Sequence, residues 1–272
     1  MKESLDDNSP AFSGGGPIFE AEPDFPRPQA VGGHSVLITA AGTSFRFGAS
    51  LKKEFFPLLG ETVLHHTFMA FYSAGIFDYF CVTFLKDHEE QTRTALGRRI
   101  VEGLGSRLIL VQGGATRQES VCRGLEALSS FRPPTVLIHD GARPWVSQDL
   151  VLRVFKTMLD RGAAAPLIPT VDAIKRVDAS GRIARHLDRP ATGAVQTPQG
   201  FQFSAILEAH RKARTDGSVY IDDTEIYHRY CGEVFTVPGE FSNIKITYPR
   251  DIIESPAAGR AQDFSPLERD AL

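Results

Sequence analysis

The feature that most constrains this chain is an alternation. From His34 onward, short apolar runs, SVLITA (35–40), DYFCVTF (78–84), RLILV (107–111) and TVLIHD (135–140), are separated by longer stretches of helical spacing at 61–75, 88–100 and 116–130. The runs are continuously apolar rather than alternating, as strands are when both faces of a sheet are covered. Strands joined through helices lie parallel, so the expected fold is α/β with a doubly wound, mostly parallel, Rossmann-like sheet. Further helices are expected over Val151–Arg161 and from about Ser204 to Arg214. Such sheets bind ligands beyond the carboxyl ends of their strands, which directs attention to residues 40–53, 112–120 and 140–144.

After Arg161 the rhythm stops. VDAIKRV and RIARHL flank the turn Asp178-Ala179-Ser180-Gly181, which is a hairpin signal, so residues 169–189 are expected to project as a β-arm. An exposed hairpin pairs with another chain or covers a site. Homodimerisation through the arm is the expectation, with a local lid as the alternative.

At 272 residues and 42% hydrophobic, the chain can bury one sizeable core, expected over 34–254. A formal charge of −3 speaks against a nucleic-acid or membrane-surface partner, so an anion site must be local. Cys81, Cys122 and Cys231 are odd in number and lack CxxC spacing, as expected of thiols in a reducing compartment. Residues 1–33 and 255–272 lack apolar periodicity and are expected to be a disordered extension and a tail. With no run long enough to span a bilayer, a soluble, cytoplasmic protein is expected.

Three loops carry the chemistry. The first, AAGTSFRFGASLKK, has Gly42 and Gly48 where backbone can approach a ligand, and Arg46, Lys52 and Lys53 as mobile positive charge, which suits a polyphosphate. It is neither a Walker A loop nor GxGxxG, since Ser44 stands where the second glycine of the latter belongs. The second, QGGATRQES, has Gly113 and Gly114 after a strand, then Thr116 as N-cap with Glu119 three residues on. Arg117 and Ser120 share a helical face that could meet a base or phosphate, simple capping being the alternative. The third, IHDGARPW, ends a strand with His139 and Asp140. Asp140 is placed to hold a metal–phosphate complex or a ribose hydroxyl, or else to cap the next turn, whereas His139 reads as a packed histidine. Together the loops ask for a nucleoside triphosphate.

The motifs AAGTSFRFG with Lys53, GGATRQESVCRGL (113–125), HDGARP (139–144), PTVDAIK (169–175), QTPQGF (196–201), the Asp222–Asp223 pair and NIKIT (243–247) resemble those of the 2-C-methyl-D-erythritol 4-phosphate cytidylyltransferases of the non-mevalonate isoprenoid pathway. The resemblance spans roughly 35–253. It implies a magnesium-dependent transfer of cytidylyl from CTP to 2-C-methyl-D-erythritol 4-phosphate, with release of pyrophosphate, by a homodimer joined through the arm. It assigns catalytic roles to Arg46 and Lys53 on the triphosphate and to Arg189 and Lys245 on the acceptor's phosphate. It further implies that Ala40, Ala41 and Gly42 meet the nucleotide through backbone, that Gly114 and Ser120 read the cytosine with Arg117 supporting their loop, and that Asp140, Ala142, Arg143 and Thr197 lie beside ribose and acceptor. Magnesium is expected on the CTP phosphates, with no protein ligand assigned. Three positions depart from the family's pattern: Ser44 for a glycine, acceptable where the backbone avoids positive φ, and Ala173 and Ile221 for threonines near the acceptor. These last two keep ribitol 5-phosphate, or another polyol phosphate, open as acceptor. A non-catalytic nucleotide-binding regulator is the reading from another class; the retained cations argue against it.

Overall fold

The computed structural model describes residues 33–48 and 51–253, so the expectations for the N-terminal extension up to residue 32 and for the tail lie outside the described residues. In chain order the elements are β1 (His34–Ala40), β2 (Pro57–Leu58), β3 (Glu61–Thr62), α1 (Val63–Tyr72), β4 (Phe77–Phe84), α2 (Glu89–Leu96), α3 (Arg98–Leu104), β5 (Leu108–Gln112), α4 (Arg117–Leu128), β6 (Thr135–Asp140) and α5 (Gln148–Arg161). There follow β7 (Ala163–Pro169), β8 (Lys175–Val177), β9 (Ile183–His186), β10 (Gly193–Val195), β11 (Gln199–Gln202), α6 (Phe203–Asp216), α7 (Asp223–Tyr230), β12 (Phe235–Pro238) and α8 (Arg250–Ile253).

The main sheet runs β10-β7-β11-β6-β1-β4-β5, with β12 also on β7. The block β6-β1-β4-β5 is parallel throughout, while β11 runs antiparallel to both β6 and β7. Both faces are covered, as the apolar runs predict. Val36, Ile38, Phe80, Val82 and Leu137 pack beneath α1, α2, α3 and α5, whereas Leu37, Cys81, Val136 and Ile138 pack beneath α4, α6 and α7. All six residues of β6 are buried, so the strand that ends in Asp140 is covered along its whole length at the middle of the sheet.

Two local differences from the expected elements have clear causes. The stretch 88–100 forms two helices rather than one, because Gly97 sits at φ 92°, outside helical space, between α2 and α3. The expected turn does form: Asp178 Oδ1 accepts from the backbone N–H groups of Ser180 and Arg182 around Gly181 at φ 84°. The resulting β8–β9 hairpin is a separate two-stranded sheet, with Val177 and Ile183 exposed. Among the described residues no helix is long and apolar enough to cross a membrane.

Candidate active site

At the carboxyl ends of β1, β5 and β6 the three loops enclose a cavity of about 420 Å³. This is within the usual range for a small-molecule site. Its wall includes Ala41, Gly42, Arg46, Lys53, Gly114, Arg117, Ser120, Asp140, Ala142 and Lys245, so ten of the fourteen residues to which the resemblance gives a role meet in one place.

The first loop is fixed from below. Phe47 is buried with Phe56, Val63, Ala142, Ile246 and Ile252 in a small apolar cluster, and burying such a ring is worth about 2 kcal/mol. Ile246 N donates to Ala142 O at 2.9 Å, tying the NIKIT segment to the third loop. Lys53 completes the frame by donating from Nζ to Ile246 O at 2.8 Å. Desolvation lowers the Lys53 ammonium from its ordinary value, with Glu54 opposing that shift. Arg46 is exposed on the wall.

Gly42 carries information about an occupant. Among the described residues a side chain added there would meet nothing within 4 Å, and its φ is not left-handed, so none of them demands glycine. Gly113 and Gly141 differ: an added Cβ would come within 2.3 Å of the Ala41 Cβ and 2.9 Å of the Thr39 carbonyl respectively. Those two keep the loops close to each other; Gly42 keeps the cavity floor open.

Ser44 and Lys52 correct the sequence reading. Ser44 does adopt positive φ, 54°, and its side chain compensates: Oγ donates to Glu54 Oε2 at 3.1 Å and accepts from Lys53 N at 3.4 Å. A left-handed non-glycine residue costs roughly 1–2 kcal/mol, which hydrogen bonds of about 1 kcal/mol each offset. Lys52 is not a mobile cation. Its ammonium is buried, donates to Ala40 O at 2.7 Å and lies 3.9 Å from the Glu54 carboxylate, so it braces the loop.

The second loop is a capped helix start. Thr116 Oγ1 accepts from Glu119 N, Glu119 Oε2 accepts from Ala115 N, and Ser120 Oγ accepts from Gly114 N at 3.0 Å while donating to Thr116 O at 2.9 Å. The Ser120 hydroxyl is thereby committed to holding Gly114 in the wall.

Asp140 is the electrostatic centre. Oδ2 lies 3.0 Å from Lys245 Nζ and 3.2 Å from Arg143 Nε, and Oδ1 lies 3.4 Å from Arg117 Nε. Burial alone raises this carboxyl, but Lys245, Arg117 and Arg143 outweigh it and hold the group well below the usual carboxylate range. One carboxylate among three cations, with Arg46 and Lys53 nearby, leaves net positive charge for a polyanion. Among the described residues no group of three or more His, Cys, Asp or Glu side chains is arranged to hold a metal ion.

Four singled-out residues stand elsewhere. Ala40 is buried in β1, and its carbonyl receives Lys52. Arg143 lies behind Asp140, with Nη1 donating to Asn243 O at 2.8 Å. Thr197 is buried one layer back: its Oγ1 accepts from Asp140 N at 3.1 Å and lies 3.0 Å from His139 Nδ1. His139 Nε2 faces the Arg143 carbonyl at 3.3 Å, an acceptor only, so that nitrogen carries the proton and the Thr197 hydroxyl donates to Nδ1. Desolvation lowers His139 to about 3, which keeps it neutral. Arg189 lines a different pocket, beside Leu167, Thr170 and Pro190, and donates from Nη1 to Val171 O at 3.4 Å.

The profile of the 2-C-methyl-D-erythritol 4-phosphate cytidylyltransferase family, IspD, matches residues 34–258. A bifunctional IspD/IspF enzyme of Bradyrhizobium diazoefficiens is 38% identical over 229 residues, which are 84% of this chain and 56% of that protein. The chain therefore spans about half the length of the bifunctional relatives it matches. The 2-C-methyl-D-erythritol 4-phosphate cytidylyltransferase of Bacillus velezensis is 36% identical over 84% of this chain and 96% of its own. Among solved structures, the enzyme of that name from Thermus thermophilus is 35% identical with a TM-score of 0.66, covering 83% of this chain and 98% of its own. With the loops, the cation-ringed Asp140 and the NIKIT segment all lying within the matched span, the chain belongs to the 2-C-methyl-D-erythritol 4-phosphate cytidylyltransferase family.

Proposed function

We propose that this protein transfers the cytidylyl group of CTP to 2-C-methyl-D-erythritol 4-phosphate, releasing pyrophosphate. The observation that carries this reading is the Asp140 centre: Lys245, Arg117 and Arg143 gather on one carboxylate, while Arg46 and Lys53 line the same cavity together with Gly42. The first loop takes the triphosphate. Lys245 and Asp140 meet the acceptor.

The reaction is an in-line displacement in which an acceptor phosphate oxygen bonds to the α-phosphorus as the bond to the pyrophosphate oxygen breaks. That oxygen is already ionised near neutrality, so no general base is needed; Asp140 is ringed by cations, the Glu54 carboxylate accepts from Ser44 Oγ, and His139 is buried with both nitrogens engaged. Catalysis is then positioning plus fixed positive charge where negative charge grows. Arg46 and Lys53 neutralise the departing pyrophosphate, and Lys245 holds the incoming phosphate.

Magnesium is proposed to arrive on the triphosphate oxygens, where it supplies further charge neutralisation. The committed oxygens of Asp140 suit a neighbour of such an ion rather than a cage for it. A homodimer is proposed through the 169–189 arm, because Val171, Ile174, Val177 and Ile183 are exposed on it and an isolated two-stranded hairpin is marginal in water. In that assembly Arg189, which lines a pocket other than its own protomer's cavity, serves the partner's site. The 34–254 segment as one catalytic domain and a cytoplasmic setting belong to the same proposal.

The test is pyrophosphate release with CTP and magnesium, run with methylerythritol phosphate beside ribitol 5-phosphate. Release with the first supports the reading. Release with ribitol 5-phosphate alone moves the acceptor, and no release with either removes the activity.

A further inference from the structure

Arg117 holds two carboxylates at once. Its Nε reaches Asp140 Oδ1 at 3.4 Å, but its Nη2 donates to Asp223 Oδ2 at 2.8 Å, across 106 residues of sequence. The shorter contact is the one that sets the guanidinium. Asp223 is 0% exposed, and its other oxygen, Oδ1, faces His210 Nε2 at 3.1 Å, itself a buried side chain of α6. Its neighbour Asp222 has a separate task. Asp222 Oδ1 accepts from Glu225 N as the N-cap of α7, and Oδ2 accepts from Gln199 Nε2, so the helix start that carries Asp223 is anchored to β11.

Neither of this pair lies in the cavity wall, yet Asp223 ends on a group that does. A guanidinium presents a rigid fork of donors that fits one carboxylate bidentately. Here the fork is divided: Asp223 claims the terminal nitrogen and leaves Nε for Asp140. Released from Asp223, Arg117 is free to turn both arms onto Asp140 and draw it from Lys245, which stands 3.0 Å away on the acceptor side. Burial raises the Asp223 carboxyl, but Arg117 and His210 together hold it below its ordinary value, so the charge that orients Arg117 persists.

We infer that Asp223, oriented by His210, is a positioning residue of the transfer site, acting through Arg117 to keep Asp140 in place for Lys245; this rests on the function proposed above. It assigns the second carboxylate of the Asp222–Asp223 pair a role in rate rather than only in packing.

The experiment is steady-state pyrophosphate release, with CTP and acceptor varied separately, by the full-length wild type, Asp223→Asn, Arg117→Ala and the double variant, each checked for folding by circular dichroism. Asp223→Asn is expected to lower kcat/KM by about 10- to 100-fold, and the double variant to be no slower than Arg117→Ala alone, because the effect travels through Arg117. Asp223→Asn within threefold of wild type, or the same penalty with and without Arg117, overturns the inference. Should Asp223→Asn not fold, the His210 variants decide: His210→Gln, which keeps a donor for Asp223, restores most of the rate lost in His210→Leu, and equal rates for the two contradict the inference. A wild type that releases no pyrophosphate instead removes the proposed function beneath it.

Discussion

Lys53 spans 193 residues of sequence to donate from Nζ to the carbonyl of Ile246 at 2.8 Å, joining the first loop to the segment that carries Lys245. The cation is thus both wall and clamp. Lys53→Ala is expected to lower kcat by about 100-fold or more, the usual scale for removing a fixed donor from a developing charge, while costing about 1 kcal/mol of stability for the lost hydrogen bond. Single-turnover rates beside urea unfolding check both; equal losses in a Lys53→Met variant that unfolds early would make the residue structural only.

Gly42 separates ligand contact from folding. Since a Cβ at Gly42 meets nothing within 4 Å among the described residues, Gly42→Ala is expected to leave stability within about 0.5 kcal/mol of wild type and to weaken CTP binding by about tenfold. Calorimetric titration with CTP, alongside thermal unfolding, reads the two effects. Unchanged affinity would place the nucleotide elsewhere.

Stability should fall on mild acidification, and His139 is the main reason. Its folded value of about 3 lies below its ordinary 6.5, owing to burial. Between these limits the unfolded chain takes up a proton that the folded one refuses, so stability present above 6.5 is lost as pH falls, by about 1.4 kcal/mol per unit. From pH 6.5 to pH 5 the loss is about 2 kcal/mol. His34 and His66 are lowered by burial too and add in the same direction. The carboxylates of Asp140 and Asp223, held down by their cations, contribute only at more acid pH. Urea midpoints at pH 7 and pH 5 measure the slope, which His139→Gln should flatten.

The parallel block and the three loops that line one cavity at its edge were legible because continuous apolar runs and the glycines between them are local signals. What sequence could not separate was Lys52 from Lys53, adjacent and alike, one turned inward to Ala40 O and the other to the cavity. That choice is made by Glu54 and Ile246, which are brought there by tertiary packing. Gly97 did carry a signal, a glycine within a helical pattern, and it is where the helix breaks. Thr197 behind Asp140, and Asp223 beyond Arg117, are contacts across 57 and 106 residues that no spacing rule reaches. Ser44 shows the reverse limit: its positive φ is sustained by a side-chain bond to Glu54 that only the folded loop reveals.

The arm offers a test of assembly. If Arg189 serves the partner's cavity, mixing inactive Arg189→Ala and Lys53→Ala protomers should restore about a quarter of wild-type turnover. One site in each mixed dimer is then intact, and mixed dimers form about half of a random population. Restoration is read as pyrophosphate release after subunit exchange. No recovery, with mixed dimers shown to form, would place Arg189 in its own protomer's chemistry.

The most direct test follows an oxygen. With methylerythritol phosphate carrying ¹⁸O in its phosphate, CTP and magnesium, the products are separated and weighed by mass spectrometry. Attack by the acceptor's phosphate on the α-phosphorus predicts all of the label in the cytidine diphosphate product and none in pyrophosphate. Label in the pyrophosphate, or no turnover at all, would contradict the account.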